Sequence, residues 1–176
     1  NRKSELLYQD VELLSSLCSV LGGEYPQDRI NRGWEKILLN QFHDIIPGSS
    51  IYEVYEVSHR QYGEIIANGR DMLNEALQSI ISNIWLKGSS LVVFNTLSFH
   101  RNDVVSFALP ASIKDPEILD EDGNAVPFQP VKDEEADKVL VYVKDIPAKG
   151  YKSFRIQESI INGSENGMNN GRTQHH

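Results

Sequence analysis

"ISNIWLKGSSLVVFN", residues 81–95, is where the texture of the chain changes. Before it, apolar residues recur every three or four positions. After it, they alternate or run in short blocks bounded by turn residues. The first period is that of a helix face and the second that of a strand. The switch near residue 86 divides the 176 residues into a helical half and a strand half. That order predicts an α+β protein with its helices and strands segregated.

Upstream of the switch, Leu6, Leu7, Val11, Leu14, Leu17, Cys18 and Leu21 recur as one helix face, and Gly22-Gly23 ends it. Glycine tolerates the left-handed turn that closes a helix. Pro26 suits the first turn of a second helix, along which Ile30, Trp34, Ile37, Leu38 and Gln41 share a side. After Pro47-Gly48, Ser49 or Ser50 can cap a third helix, and Ser50 with Glu53 has the spacing of a capping box. Its stripe is long: Ile51, Val54, Tyr55, Tyr62, Ile65, Ile66, Leu73, Leu77, Ile80, Ile81 and Ile84. Gly63 and Gly69 weaken it locally without breaking the pattern. Three amphipathic helices with short connections predict an antiparallel three-helix bundle over residues 1–86.

Downstream, "EILDEDGNAVPFQPV" (residues 117–131) centres on Asp122-Gly123, a hairpin signal. "KVLVYVKDIPAKGYKSFRIQ" (138–157) adds two strands around Ala148-Lys149-Gly150. Strands at this spacing predict a small β-sandwich-like domain over residues 87–158, short enough to be incomplete or to lean on the helices. The end, "INGSENGMNNGRTQHH" (161–176), has no period and few apolar residues; residues 159–176 read as a flexible tail. Its last two histidines read as an expression remnant.

The net charge is −8 and the pI near 5.1. No Lys/Arg cluster occurs, which argues against nucleic acid or an anionic membrane as partner. No apolar run reaches the ~20 residues of a membrane span. Cys18 is the single cysteine, so no internal disulfide forms, and in an apolar helical pattern it reads as a buried, inert thiol. The chain reads as cytoplasmic, and its start without Met suggests a piece of something larger.

His43 and Asp44, in "NQFHDIIPGSSI" (40–51), are the best candidates for chemistry. A neutral imidazole is a good zinc ligand, and an adjacent carboxylate binds metal or sugar hydroxyls. Zinc needs three or four protein ligands, however, and neither His59, His100 nor the terminal pair has ligand spacing to His43. The residues alone favour a helix end whose polar side chains satisfy loop amides. The acidic groups Asp115–Asp122 and Asp133–Asp137 lack regular calcium-loop spacing and read as solvated loops. Trp34 reads as core, Arg101 as a local partner of Asp103, and Tyr52 and Tyr55 as core or interdomain packing residues rather than cleft-lining ones.

Two stretches carry a family resemblance. "LLNQFHDIIPGSSIYEVYE" (38–56) resembles the segment of family 38 glycoside hydrolases, the retaining α-mannosidases, in which a Gln-x-His-Asp run ends a helix of a central three-helix domain. "LVVFNTLSFHRNDVV" (91–105) resembles the segment opening the first β-domain of that family, Val-x-Asn-Pro/Thr-Leu-Ser-Trp/Phe-x-Arg. The two stand in the family's order, separated by a long helix. The Pro-Gly-Ser-Ser form is similar to the bacterial and cytosolic or vacuolar branch.

The resemblance implies that His43 is one of four protein ligands of a catalytic zinc and that Asp44 hydrogen-bonds the hydroxyls of a mannosyl residue. The family's His-x-Asp pair and nucleophilic Asp belong to an N-terminal α/β domain, and no His-x-Asp occurs here. The implied reading is therefore a fragment with no catalytic residue of its own, whose zinc is completed from outside this chain. Its partners would be mannosides or mannose-containing glycans and the missing N-terminal catalytic domain. The competing reading is a stand-alone protein- or carbohydrate-binding module. An exposed apolar surface separates the two: a fragment shows one where its missing domain docks, and a module is closed and polar.

Overall fold

The computed structural model describes residues 1–132 and 138–159. Three helices come first: α1 (Arg2–Val20), α2 (Gln27–Leu39) and α3 (Tyr52–Ser82). Six strands follow: β1 (Ser90–Asn95), β2 (Arg101–Ala108), β3 (Pro116–Leu119), β4 (Phe128–Val131), β5 (Lys138–Ile146) and β6 (Gly150–Glu158). The class is α+β and segregated, with the switch inside the stretch where the hydrophobic period changes.

The end of α1 closes as its two glycines predict. Gly22 has φ +92°. Gly23 N–H donates to Cys18 O at 2.9 Å and Gly22 N–H to Ser19 O at 3.1 Å, the paired bonds that satisfy the last carbonyls of a helix. Pro26 sits one residue before α2. The capping box is not made: Ile51 occupies the N-cap of α3, and no side chain caps it.

The buried face of α1 differs from the leucine stripe. Ser4, Tyr8, Val11, Ser15 and Cys18 are buried together with Leu14, whereas Leu6, Leu17 and Leu21 are exposed. The reason is close approach of the helices. Tyr8 is wedged between α2 and α3 at Gly33 and Gly69, where an added Cβ would lie 2.0 Å and 2.9 Å from its ring. Small residues line the seams so that one large ring fits between them. The Tyr8 hydroxyl donates to Ile65 O at 3.3 Å, and burial raises its pKa, the nearby Arg29 only partly opposing. Val11, Ile30, Ile37, Ile65 and Met72 complete this core. Trp34 packs edge-on to Tyr8 and donates from Nε1 to Glu12 at 3.0 Å.

The strands form two three-stranded antiparallel sheets, ordered β1-β6-β3 and β2-β5-β4. They share one core of Val93, Ile118, Val141, Val143, Ile146 and Phe154. The Asp122-Gly123 turn forms, with Gly123 at φ +84°, but only Leu119 and Ala125 bridge across it. β3 and β4 then part to different sheets. The turn at Ala148-Lys149-Gly150 likewise joins β5 and β6, which lie in different sheets, so it is a crossing between layers rather than a hairpin.

Asn95 fastens that crossing. Its Nδ2 donates to Phe99 O, Pro147 O and Ile146 O at 2.8, 3.0 and 3.2 Å, and its Oδ1 accepts from Leu97 N–H at 3.1 Å. This is the work of the Asn in "LVVFNTLSF". Phe94, beside it, packs against Leu14, Cys18, Ala76 and Ile80, so β1 rests on the helices. Cys18 is buried, its thiol 3.1 Å from Ser79 Oγ. Arg101 pairs with Asp103. Among the described residues no helix is long and apolar enough to cross a membrane. The tail from residue 160 and the acidic cluster at 133–137 lie outside the described residues.

Candidate functional site

The helix that leads to the His-Asp pair stops earlier than expected. α2 ends at Leu39, and residues 40–41 and 43–47 are turns. Asn40 stands at the stop. It is buried, and its Nδ2 folds back to donate to Lys36 O at 2.8 Å and to Gln61 Oε1 of α3 at 2.7 Å. A side chain that binds the carbonyl of the preceding turn competes with continuation of the helix. Gln41 then donates to Asn1 Oδ1 at 3.2 Å and to Glu5, tying the departing chain to α1.

Beyond this anchor the backbone makes one tight turn. Ile45 and Ile46 N–H both donate to Phe42 O, at 2.9 and 3.1 Å, and Gly48 N–H donates to Ile45 O at 3.2 Å. Gly48 has φ +85°, a conformation that costs an L-residue and suits glycine. His43 and Asp44 stand at the crest of this turn. Their side chains are 77% and 56% exposed, and His43 Nε2 lies 3.6 Å from Asp44 Oδ2. The His43 ring lies against Phe42 at a tilt of 47°, centroids 4.2 Å apart.

Neither side chain bonds a loop amide among the described residues. What ties the loop uses the Asp44 backbone instead: its carbonyl accepts from Ser49 Oγ and from the Tyr55 hydroxyl, each at 3.4 Å. The imidazole and carboxylate are thus left free by the fold. They fit a metal or a polyol as one ligand and one acceptor, the donor types that zinc and sugar hydroxyls take. No group of three or more His, Cys, Asp or Glu able to hold a metal ion occurs among the described residues. His59, on α3, and His100, before β2, do not join His43 in one.

The surroundings of the pair are apolar and exposed. Leu38, Leu39, Phe42, Ile46, Ile51 and Tyr52 all face solvent within the same stretch. Tyr52 therefore does not pack in a core of this chain, whereas Tyr55 is half-buried and braces the turn. Tyr55 could have been picked out from sequence only by knowing that the loop folds back over the first turn of α3.

The family model described as the alpha mannosidase middle domain matches residues 1–80. Alpha-mannosidase 2C1 of Mus musculus is 34% identical over 113 residues, which is 62% of this chain and 11% of that protein. Alpha-mannosidase of Saccharomyces cerevisiae is 31% identical over 109 residues, 60% of this chain and 10% of that protein. The chain thus spans about a tenth of the length of these curated relatives. A solved structure of a glycosyl hydrolase family 38 protein from Enterococcus faecalis superposes with a TM-score of 0.71 at 21% identity, covering 89% of this chain and 24% of that one. A second, described as an α-mannosidase from the same organism, gives 0.69 at 21% identity over 89% of this chain and 23% of that one. The fold of helices and sheets together is thus shared with those structures.

Proposed function

We propose, from the match of residues 1–80 to the model described as the alpha mannosidase middle domain, that this chain is part of a retaining α-mannosidase of glycoside hydrolase family 38, acting on terminal α-linked mannose. It supplies one zinc ligand, His43, and one sugar-binding carboxylate, Asp44. The helices, residues 1–86, are read as the antiparallel three-helix bundle of that middle domain, and residues 87–158 as the β-sandwich-like start of the next, with 159–176 as a tail. The observation that carries the proposal is the His43–Asp44 pair itself, exposed at the crest of a well-anchored turn and used for no bond that holds the fold.

The proposed division of labour is between this chain and the domain outside it. Retaining glycosidases set a nucleophilic carboxyl and an acid/base carboxyl about 5 Å apart, and in this reading both come from the N-terminal domain outside the chain. Zinc, when bound, is a template and Lewis acid for adjacent sugar hydroxyls. His43 would hold it with a ring nitrogen, the ring resting against Phe42. Asp44 offers acceptor oxygens to the hydroxyls of the mannosyl residue. The tight turn through Pro47-Gly48 carries the chain away, so the crest is not overhung by its own loop. The exposed Leu38, Leu39, Phe42, Ile46, Ile51 and Tyr52 are the face on which the N-terminal domain docks, and such a face favours a part of a larger enzyme over a closed stand-alone module. Mannosides or mannose-containing glycans are the substrates, and a cytoplasmic setting belongs to the same reading.

The test is made in the full-length enzyme. His43→Ala should lose stoichiometric zinc and hydrolysis of an aryl α-mannoside. Asp44→Asn should keep the zinc and lower kcat/KM at least about tenfold, as loss of a charged hydrogen bond does. Wild-type zinc content and turnover in His43→Ala would overturn the assignment.

A further inference from the structure

We propose that Tyr55 is the positioning residue of the His43–Asp44 turn, its hydroxyl clamping the turn shut. This rests on the zinc-site reading above. Tyr55 lies in the first turn of α3, a rigid support. Its hydroxyl accepts from Ser50 N–H at 3.1 Å, on the outgoing limb of the loop. Its single proton is shared between Asp44 O and Ile45 O, each at 3.4 Å, on the incoming limb. One phenol thus joins both limbs of the segment from Asp44 to Ser50.

Asn40 and Gln41 anchor the start of the loop, and the clamp ties its crest to α3. A cleft of about 330 Å³ opens under the turn, lined by Asn40, Ile45, Ile46, Tyr55, His59 and Tyr62. A turn that spans a cleft cannot rely on packing for its position. The α3 N-terminus also lacks a side-chain cap, and Ser50 gives its amide to the tyrosine rather than its hydroxyl to the helix. The Asp44 carbonyl that accepts from Tyr55 belongs to the residue next to the zinc ligand, so movement of the hydroxyl's partner moves the imidazole. Groups that orient metal ligands from behind typically change metal affinity or activity by about 10–100-fold when removed.

In the full-length enzyme, Tyr55→Phe removes one oxygen and keeps the ring. The Kd for zinc should rise by about 10–100-fold, and amide exchange should quicken over residues 43–50 while exchange in the middle of α1 and α3 stays unchanged. General loss of stability would instead quicken exchange throughout the helices and would overturn the clamp. Wild-type zinc affinity in Tyr55→Phe, beside loss of zinc in His43→Ala, would overturn it too, with the zinc reading intact. Retention of zinc by His43→Ala would bring down the zinc reading, and the role of Tyr55 in holding a ligand with it.

Discussion

A single carboxylate organises the turn that follows β3. Asp120 Oδ1 accepts from Asn124 N–H at 2.8 Å and Asp122 N–H at 3.0 Å, and Oδ2 from Asn124 Nδ2 at 3.2 Å. The Asn124 amide, with smaller help from Asp122 and Gly123, holds the Asp120 carboxyl below the usual aspartate range, desolvation opposing only in part. A carboxylate with a depressed folded pKa stabilises the fold above its unfolded pKa, and that contribution is lost as pH falls through the depressed value. The turn should therefore stay closed through neutral and mildly acid pH and loosen only below the ordinary aspartate range. A carboxyl titration followed by NMR should place Asp120 below that range, and Asp120→Asn should abolish the acid-linked loosening. A midpoint at the ordinary value would contradict the hydrogen-bonded turn. The Asp-Gly signal was readable in sequence, but the role of Asp120 was not, because it depends on which amides the turn points at one oxygen. His43 and Asp44 were readable as residue types in the same way. Their place past the end of α2 was not, since it follows from Asn40 reaching back to Lys36 and across to Gln61.

At the scale of elements, the three helices were legible and the face that α1 buries was not. Leucines at positions 6, 17 and 21 set a strong apolar period, yet those side chains are exposed, while Ser4, Tyr8 and Ser15 are inside. Burial was decided by shape: the seam takes small residues and one ring, and hydrophobicity alone cannot rank serine above leucine. The helical glycines put this to a direct test. Gly33→Ala sets a methyl about 2 Å from Tyr8 ring atoms and should destabilise by about 1–3 kcal/mol. At Gly63 an added Cβ meets nothing within 4 Å, so Gly63→Ala should stabilise by about 0.5–1 kcal/mol through helix propensity alone. Chemical denaturation of the two variants reads opposite signs; the same sign at both positions would contradict the wedge. Leu38 and Leu39 of α2 are exposed as well, and in the proposed reading they belong to the docking face beside His43.

For the whole molecule, the change of period at residues 81–95 was enough to separate helices from strands, because side-chain spacing along a helix and along a strand differ regardless of tertiary context. What it could not give is how the two parts join. Phe94, in a strand, completes a helical core cluster with Leu14 and Ile80, and both chain reversals after β3 and β5 pass between sheets rather than within one. Sheet partnership is a long-range property, and turn chemistry only marks where the chain bends. The same holds for the site. In the proposed reading, its exposed crest and apolar surround form one side of an interface, and the other side would bring the remaining ligands and the two catalytic carboxyls. The most direct measurement is the anomalous X-ray scattering of zinc in crystals of the full-length enzyme. The account predicts a zinc ion with a ring nitrogen of His43 at about 2.0–2.1 Å and its other protein ligands drawn from outside residues 1–176. A zinc ion coordinated without His43, with that ring left in solvent, would contradict it.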